Sequence, residues 1–258
     1  MDLTQMKVLI TRPYKTVYDR GDAIVKVFSR NHPKANVFNE ALNHARAEEA
    51  GLSVPKLLGV SETKEGWAIT VEKVEGQTLE SLMNEDPANI ERYMEWFVDA
   101  QIEIERHQAP LMTQLKDKMT REINDQKTLD ATTRYELLTR LDSMKTHSKI
   151  CHGDYNPSNV IVRQDGKLMI IDWSHASRGN ASADAALSYL LFAMDDRDKA
   201  ELYMDQFSRK TDTAKQYIRQ WVSLVAAAEL RKRTEKEREF FMSWIDVINY
   251  SDFTDSMS

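Results

Sequence analysis

Short runs of apolar and polar residues dominate the first part of the chain and predict β-strands. MKVLI, TVYDR and AIVKVF are rich in β-branched or aromatic residues, and DRGDA supplies a turn between the last two. KLLGVSE and GWAITVEKV, at 56–62 and 66–74, have the same character. The pattern predicts a small antiparallel sheet within the first seventy-four residues.

One helix is predicted between these strands, at residues 33–51. Pro33 suits the first turn of a helix, and Gly51 suits its end. Apolar residues recur there at spacings of three and four, as a helix requires. The resulting apolar stripe comprises Val37, Phe38, Ala41, Leu42 and Ala45.

From about Leu79 the apolar spacing becomes helical. EGQTL marks a turn and a helix start, and further helices are predicted at 89–108, 133–145, 183–194, 213–230 and 237–250. The last eight residues, SDFTDSMS, are expected to fray. We therefore predict an α+β protein with a small sheet lobe at 1–74 and a larger, mainly helical lobe at 75–258, joined near 72–76.

Composition narrows the class of protein. A chain of 258 residues suits one large domain or two lobes, and 41% hydrophobic with 29% charged residues excludes a disordered chain. No apolar run is as long as a membrane span, and the start lacks a secretory signal pattern. The single Cys151 leaves no intramolecular disulfide and fits a reducing cytosol. We expect a cytoplasmic protein that binds no membrane.

The charge is unevenly distributed along the chain. A formal net charge of −6 argues against nucleic-acid binding, which needs a basic surface. Residues 1–74 hold 11 Lys and Arg against 9 Asp and Glu, which leaves a net charge of −8 on the remainder. This acidic part either attracts a cationic substrate or forms an ordinary solvated surface.

The stretch from Cys151 to Trp173 carries the candidate chemistry. KIC, NVIVRQ and KLMIIDW are predicted strands, and Asp-Gly at 165–166 turns a hairpin. Asp154 precedes that hairpin, while Asn159 at its entry and Asp172 at its exit come close together. A carboxylate and an amide oxygen suit Mg²⁺, which also takes phosphate and water ligands. Asp154 is then available to accept a proton from a hydroxyl.

These are the groups that transfer a phosphoryl group from ATP. HGDYNPSN, followed by IIDWSHASRGNASADAA, resembles the aminoglycoside phosphotransferase and choline kinase family of small-molecule kinases. The resemblance implies a two-lobed, protein-kinase-like fold with a nucleotide-binding first lobe. The second lobe would carry the catalytic loop, the metal site and the acceptor-binding helices. It also implies ATP or GTP with Mg²⁺, a small-molecule hydroxyl acceptor, and a monomer or homodimer.

Position by position, the resemblance assigns roles in the second lobe. Asp154 corresponds to the catalytic base, and Asn159 and Asp172 to the metal ligands. His152 corresponds to a structural brace of the loop, with a metal ligand as the alternative. Asp184 matches an aspartate that holds the catalytic loop through hydrogen bonds, although its position at a helix start equally suits a plain N-cap.

In the first lobe, the resemblance assigns the phosphate-binding lysine to Lys26, in the apolar strand AIVKVF. Glu40, on the predicted helix, corresponds to the acid that pairs with this lysine. Glu48 and Glu49, on the same helix, remain rivals for that pairing.

The adenine site and the phosphate-covering segment are less clearly marked. TVEKVEG resembles the hinge, where the carbonyl of Glu72 and the N–H of Val74 would meet the adenine. The preceding ITRPYKTVYDR contains no glycine before Gly21, unlike the glycine-rich loop of protein kinases. Two alternatives remain for Arg12 and Lys15. One of them contacts phosphate directly, or both are solvated residues at strand ends.

Three other functions fit the same residues less well. A catalytically silent nucleotide-binding scaffold would not need the proton acceptor together with both metal ligands. An atypical protein kinase would need an activation segment ending in A-P-E, which is missing after Asp172. A metal hydrolase would need a second His at a zinc spacing.

The acceptor remains open. Aminoglycosides are polycations that suit acidic helices, whereas choline-like acceptors need aromatic cages. Four aromatic residues are available for a cage or are simply core, namely Trp173, Trp221, Trp244 and Tyr250. Sugars, amino alcohols and amino-acid derivatives are further alternatives.

Overall fold

The computed structural model describes residues 3–246, which divide into two units. The first comprises residues 3–89 and Pro157–Ala176, and the second comprises Ile90–Asn156 and residues 177–246. These units do not coincide with the predicted lobes at 1–74 and 75–258. Residues 157–176 belong with the first unit because the backbone N–H of Ile170 donates to the carbonyl of Ser53 at 2.8 Å. The hydroxyl of Ser53 also donates to the carbonyl of Leu168 at 2.7 Å.

The strands of the described part are β1 Lys7–Arg12, β2 Lys15–Asp19, β3 Ala23–Phe28, β4 Leu57–Glu62, β5 Trp67–Glu72, β6 Gln77–Thr78, β7 Lys149–Cys151, β8 Val160–Val162, β9 Leu168–Ile170 and β10 Ser177–Gly179. The α-helices are α1 Lys34–Glu49, α2 Leu79–Glu85, α3 Ile90–Arg106, α4 Leu115–Asn124, α5 Ala131–Ser143, α6 Ala181–Asp195, α7 Arg197–Thr211, α8 Lys215–Glu229 and α9 Glu235–Asp246. The α+β class predicted from the sequence is confirmed.

The first unit is built on a five-stranded sheet of order β1-β2-β3-β5-β4, in which every neighbouring pair is antiparallel. Its central strand β3 alternates side chains between two buried faces. On one face Phe28 and Ile69 pack with Val37 and Ala41 of α1. On the other, Val25, Val27 and Ala68 form a second cluster. Burial on both faces fixes the register of β3 and therefore the direction of each of its side chains.

Helix α1 does not bury the apolar stripe that its sequence predicts. Val37 and Ala41 are buried, but Phe38 and Leu42 are 42% and 46% exposed. Phe38 instead packs on the edge of Trp67 at the surface, with a ring separation of 5.0 Å. The prediction was wrong for these two residues because another face of the helix is turned inward.

Half of the buried residues of α1 are polar. Glu40, Asn43 and His44 are all buried. The side-chain amide of Asn43 donates to the carbonyl of Ala176 at 3.3 Å, and a ring nitrogen of His44 lies 2.6 Å from the carbonyl of Pro55. Burial lowers the pKa of His44, so the imidazole is neutral at pH 7. The hydrogen bonds of Asn43 and His44, together with the packing of Val37 and Ala41, match the observed rotation of this helix.

The predicted hairpin of the first unit is present. Strands β8 and β9 pair antiparallel, with Val160 opposite Ile170, and β6 pairs with the other edge of β8. Gly166 adopts φ +79° in the connecting turn, a conformation that favours glycine. Strand β7 pairs with β10 in the second unit.

The second unit is mainly helical, as expected, and α6 lies at its centre. Nearly every side chain of α6 is buried, because α7 and α8 pack against it and its sequence is apolar on all sides. The sequence did not single out α4 or α7. In α4 the buried stripe is only Leu115, Met119 and Ile123 within an otherwise charged segment. The predicted C-terminal helix is present to Asp246, while 247–250 and the SDFTDSMS segment lie outside the described residues.

Across residues 3–246, no helix combines the length and apolar character needed to cross a membrane.

Gly76, beside the hairpin, gives a test of this packing. A Cβ at this position would lie 2.3 Å from the carbonyl oxygen of Val162 and 2.8 Å from the Cγ2 of Ile161. We expect Gly76→Ala to lower the free energy of unfolding by about 1–3 kcal/mol in urea titrations. Gly59→Ala is the control, because a Cβ there meets no atom within 4 Å. Equal effects of the two substitutions would contradict the predicted contact.

Candidate active site

Lys26 is the centre of a buried group of charges in the first unit. It points from β3 to the same side as α1, and its side chain is only 13% exposed. Its ammonium donates to Glu40 Oε1 at 2.8 Å and to Asp172 Oδ1 at 3.1 Å. Burial disfavours the ammonium, but the two carboxylates outweigh this and raise the pKa of Lys26 above its ordinary value. The lysine therefore stays charged despite its burial.

The two rival acids on α1 have other positions. Glu48 accepts a hydrogen bond from the backbone N–H of Leu57 at 3.0 Å, and Glu49 is exposed. The expected ion pair is thus formed by Glu40. The assignment of Lys26 and Glu40 to nucleotide binding stays a prediction.

Asp172 has an unusual backbone. It adopts φ +63° and ψ +64°, a left-handed conformation that non-glycine residues seldom take. The next residue, Trp173, anchors the chain there, because its ring is fully buried and its Nε1 donates to the carbonyl of Ile170 at 3.1 Å. Backbone strain of this kind is concentrated at functional sites.

Lys15 also approaches Asp172, and the sequence did not distinguish it from a solvated strand end. Its Nζ lies 3.5 Å from Asp172 Oδ2, and its side chain is 13% exposed. The ammonium also stands 5.7 Å from the centre of the Phe28 ring. Burial alone would favour a neutral Asp172, but Lys26 and Lys15 hold the pKa of this carboxyl well below its usual range. Asp172 is therefore an anion at neutral pH.

Asn159 lies close to the same end of the hairpin. It is buried in a short 3₁₀ turn, and its backbone carbonyl accepts from the N–H of Ile171 at 2.9 Å. This bond connects Asn159, which precedes β8, with Ile171, which precedes Asp172. The two ends of the hairpin therefore meet, as the sequence predicted. Within residues 3–246, no cluster of three or more His, Cys, Asp or Glu residues could hold a metal. One carboxylate and one amide fit Mg²⁺, which shares its remaining ligands with phosphate and water.

In the second unit, Asp184 holds the loop that precedes Asp154. Its two carboxylate oxygens accept from the backbone N–H groups of His152 and Gly153, both at 2.8 Å. It is not the N-cap of α6, an alternative left open by the sequence. That position belongs to Asn180, whose side chain accepts from the N–H of Ser182. Burial raises the pKa of Asp184 despite these bonds.

Asp154 itself is partly exposed on a loop that is fixed on both sides. Its backbone N–H donates to His152 Nδ1 at 3.3 Å, which places the proton of a neutral imidazole on Nε2. The hydroxyl of Tyr155 donates to the carbonyl of Phe97 at 2.8 Å, and the carbonyl of Tyr155 accepts from Ser188 at 2.7 Å. His152 is fully buried and braces the loop.

The predicted hinge residues lie at the end of β5. Glu72 pairs with Ala23 of β3, and its backbone N–H donates to the carbonyl of Lys56 at 2.9 Å. Val74 follows two residues later and is partly buried. Their contacts with adenine stay a prediction.

The aromatic residues considered for a cation cage are mostly part of the core. Trp173 and Trp221 are fully buried. Trp244 already has a cation over its ring, because the Arg197 guanidinium lies 5.3 Å from its centre. Tyr250 lies outside the described residues.

The buried carboxyl of Glu105 interacts electrostatically with Asp184. Glu105 of α3 is 4% exposed, and its Oε1 has no hydrogen-bond partner among the described residues. Burial, followed by the negative charge of Asp184, raises the pKa of Glu105 to about 8, while Lys149 opposes the change. Glu105 is therefore largely protonated at neutral pH, which limits repulsion with the aspartate that holds the loop.

The chain shares its fold with small-molecule kinases of known structure. Aminoglycoside phosphotransferase APH(4)-Ia superposes with a TM-score of 0.72 at 15% identity, covering 95% of this chain and 92% of the other. A thermostable mutant of that enzyme, in a ternary complex with AMP-PNP and hygromycin B, gives 0.69 at 17% identity with the same coverage. A choline/ethanolamine kinase family protein from Mesorhizobium loti superposes with a TM-score of 0.59 at 14% identity, covering 96% of this chain and 90% of the other.

The fold is therefore that of the protein-kinase-like phosphotransferases. The model of the phosphotransferase enzyme family (APH) matches residues 9–221, most of the chain, and the protein belongs to this family. No curated protein sequence gives a significant match.

Glu105 makes stability depend on pH in a defined direction. Its pKa is about 8 in the folded chain against 4.5 for the free side chain, so the folded chain binds an extra proton between these values. The contribution of Glu105 to the free energy of unfolding is therefore fully present below about pH 4.5 and is lost as the pH rises from there to about 8. The loss is at most about 1.4 kcal/mol per pH unit.

We expect Glu105→Gln to reduce the loss of unfolding free energy between pH 6 and pH 8 by about 2 kcal/mol, measured by urea titration. The control is Glu103→Gln, which removes an exposed acid from the same helix. It should show the wild-type pH dependence. A Glu105 variant with that same dependence would show that Glu105 is ionised throughout this range.

Proposed function

We propose that the protein is an ATP-dependent phosphotransferase that moves the γ-phosphoryl group to a hydroxyl of a small molecule. The observation that carries the proposal is the buried contact of Lys26 with both Glu40 and Asp172. Kinases use such a lysine, held by an acid, to bind the phosphates of the nucleotide. A structural neighbour crystallised with AMP-PNP and hygromycin B supports the pairing of a nucleotide with a small hydroxylated acceptor.

The first unit is assigned to the nucleotide. Lys26 binds phosphate oxygens, and Lys15 supplies a second cation where protein kinases use a glycine-rich loop. Asp172 and Asn159 hold Mg²⁺, which when bound neutralises charge on the phosphates. The ionised state of Asp172 at neutral pH suits this role, because the metal binds the carboxylate form.

The hinge supplies the remaining nucleotide contacts in this proposal. The carbonyl of Glu72 and the N–H of Val74 bind the adenine edge. Backbone groups fill this role, so the side chains at these two positions are free to vary.

The second unit is assigned to the acceptor. Asp154 accepts the proton of the acceptor hydroxyl while the hydroxyl oxygen bonds to the γ-phosphorus and the bond to ADP breaks. Asp184, His152 and Tyr155 position Asp154 by fixing the loop on either side of it. We place this enzyme in the cytoplasm, as its single cysteine suggests.

Nucleotide binding is tested by thermal unfolding. Mg-ATP at about a hundred times its Kd should raise the Tm by about 5 °C or more, because it binds only the folded chain. Lys15→Met should reduce this rise, since it removes a phosphate-binding cation. Lys7→Met, an exposed lysine on β1, is the control and should keep the full rise. An unchanged wild-type Tm together with no calorimetric binding would refute the nucleotide assignment.

The role of Asp154 is tested by separating binding from transfer. Asp154→Asn keeps the size of the side chain but cannot accept the proton. It should keep Mg-ATP affinity within a few-fold and lose about a hundredfold or more in the rate of phosphoryl transfer. Asp165→Asn removes the same charge from the β8–β9 turn and should remain active. Full activity of the Asp154 variant would show that this residue only supports the loop.

A further inference from the structure

Both carboxylate oxygens of Asp172 face ammonium groups within the first unit. Oδ1 accepts a hydrogen bond from Lys26 at 3.1 Å, and Oδ2 lies 3.5 Å from the Nζ of Lys15. Asp172 is also the carboxylate that the proposed function assigns to Mg²⁺. A metal ion that binds this carboxylate must therefore approach a group that is already paired with two cations.

Lys15 is held less firmly than Lys26. The ammonium of Lys26 also donates to Glu40 Oε1 at 2.8 Å, and its residue lies within the central strand of the sheet. Among the described residues, by contrast, Lys15 has an ion pair with Asp172 alone, and at the longer distance. Lys15 is the first residue of β2, directly after the turn from β1, and its flexible side chain can reach a new partner without a change in the sheet. Its contact with Asp172 is therefore the weaker of the two.

The ammonium of Lys15 changes the charge around Asp172 by one unit. Lys26 remains beside the carboxylate in either case, because Glu40 holds it there. When the Lys15 ammonium moves away, the surroundings of Asp172 become more negative by one unit, whatever the charge of His175, which also acts on this carboxyl. A divalent cation is then attracted to Asp172 more strongly.

We propose that Lys15 blocks the metal site until a nucleotide binds. Without a nucleotide its ammonium pairs with Oδ2 of Asp172, and the phosphates of a nucleotide draw it away, so that Oδ2 becomes available to Mg²⁺ together with Asn159. The protein then binds metal and nucleotide with positive coupling, and it binds little Mg²⁺ on its own. This inference rests on the proposed function and adds an order of binding to it.

The test measures metal binding to the full-length protein in the absence of nucleotide. Mn²⁺ alone is the probe, because it takes the same oxygen ligands as Mg²⁺ and its free concentration is followed by electron paramagnetic resonance. We expect Lys15→Met to bind Mn²⁺ about tenfold more tightly than the wild-type chain, since the metal no longer competes with an ammonium. An unchanged or weaker affinity in this variant would overturn the inference.

Two control variants separate this competition from a general loss of positive charge. Lys15→Arg keeps the cation and should bind Mn²⁺ as weakly as the wild-type chain. Lys7→Met removes an exposed lysine from the neighbouring strand and should also keep the wild-type affinity. A tenfold gain in Lys7→Met would refute a specific role of Lys15.

A second pair of variants shows whether the gained affinity lies at Asp172. Asp172→Asn, introduced together with Lys15→Met, should remove the gain, because the amide lacks the charge. Asp165→Asn in the same background removes a carboxylate from the β8–β9 turn and should retain the gain. A gain that survives Asp172→Asn would place the metal elsewhere and contradict the inference. If this double variant does not fold, Asn159→Ala with Lys15→Met decides the same question.

Nucleotide binding gives a second readout of opposite sign. Calorimetry with Mg-AMP-PNP should show a lower affinity for Lys15→Met than for the wild-type chain, because the phosphates lose a cation. The same variant thus binds the metal alone more tightly and the nucleotide less tightly. A substitution that only damaged the fold would weaken both, and that result would refute the block by Lys15.

Failure of this inference is distinguishable from failure of the proposed function. If the wild-type chain binds Mg-ATP while Lys15→Met shows no gain in Mn²⁺ affinity, the order of binding is overturned and the nucleotide assignment stands. If the wild-type chain binds no Mg-ATP, the proposed function is overturned, and the order of binding with it.

Discussion

The buried ammonium of Lys26 is the constraint on which the rest of the first unit depends. An isolated charge in a protein interior is strongly unfavourable, so it must be paired and hydrogen-bonded. Lys26 has two carboxylate partners, Glu40 and Asp172, and Lys15 on the neighbouring strand balances the second of them. These four charges sum to zero. A group that is neutral as a whole can be buried, and Lys26 and Asp172 stay ionised within it.

This pairing explains the unusual orientation of α1. Glu40 reaches Lys26 only if its face of the helix points inward, and Asn43 and His44 turn inward with it. Phe38 and Leu42 are left at the surface, although burying a large apolar side chain is worth roughly 1.5–3 kcal/mol. Phe38 and Leu42 are each exposed by nearly half, so together they forfeit roughly the burial of one such side chain. Breaking a buried ion pair costs about 3–5 kcal/mol, so the electrostatic requirement outweighs this loss. Hydrophobic periodicity therefore identified the helix but only part of its buried face.

The predictability of each site residue depends on how local its interactions are. The proximity of Asn159 to the Asp172 segment could be predicted from sequence because a short hairpin brings its two ends together, whatever the rest of the fold does. Asp184 could not be separated from an N-cap, because both roles place an acid in the first turn and only a partner 31 or 32 residues away distinguishes them. Lys15 was indistinguishable from a solvated lysine for the same reason. Helix α4 was missed because its narrow apolar stripe is surrounded by charges.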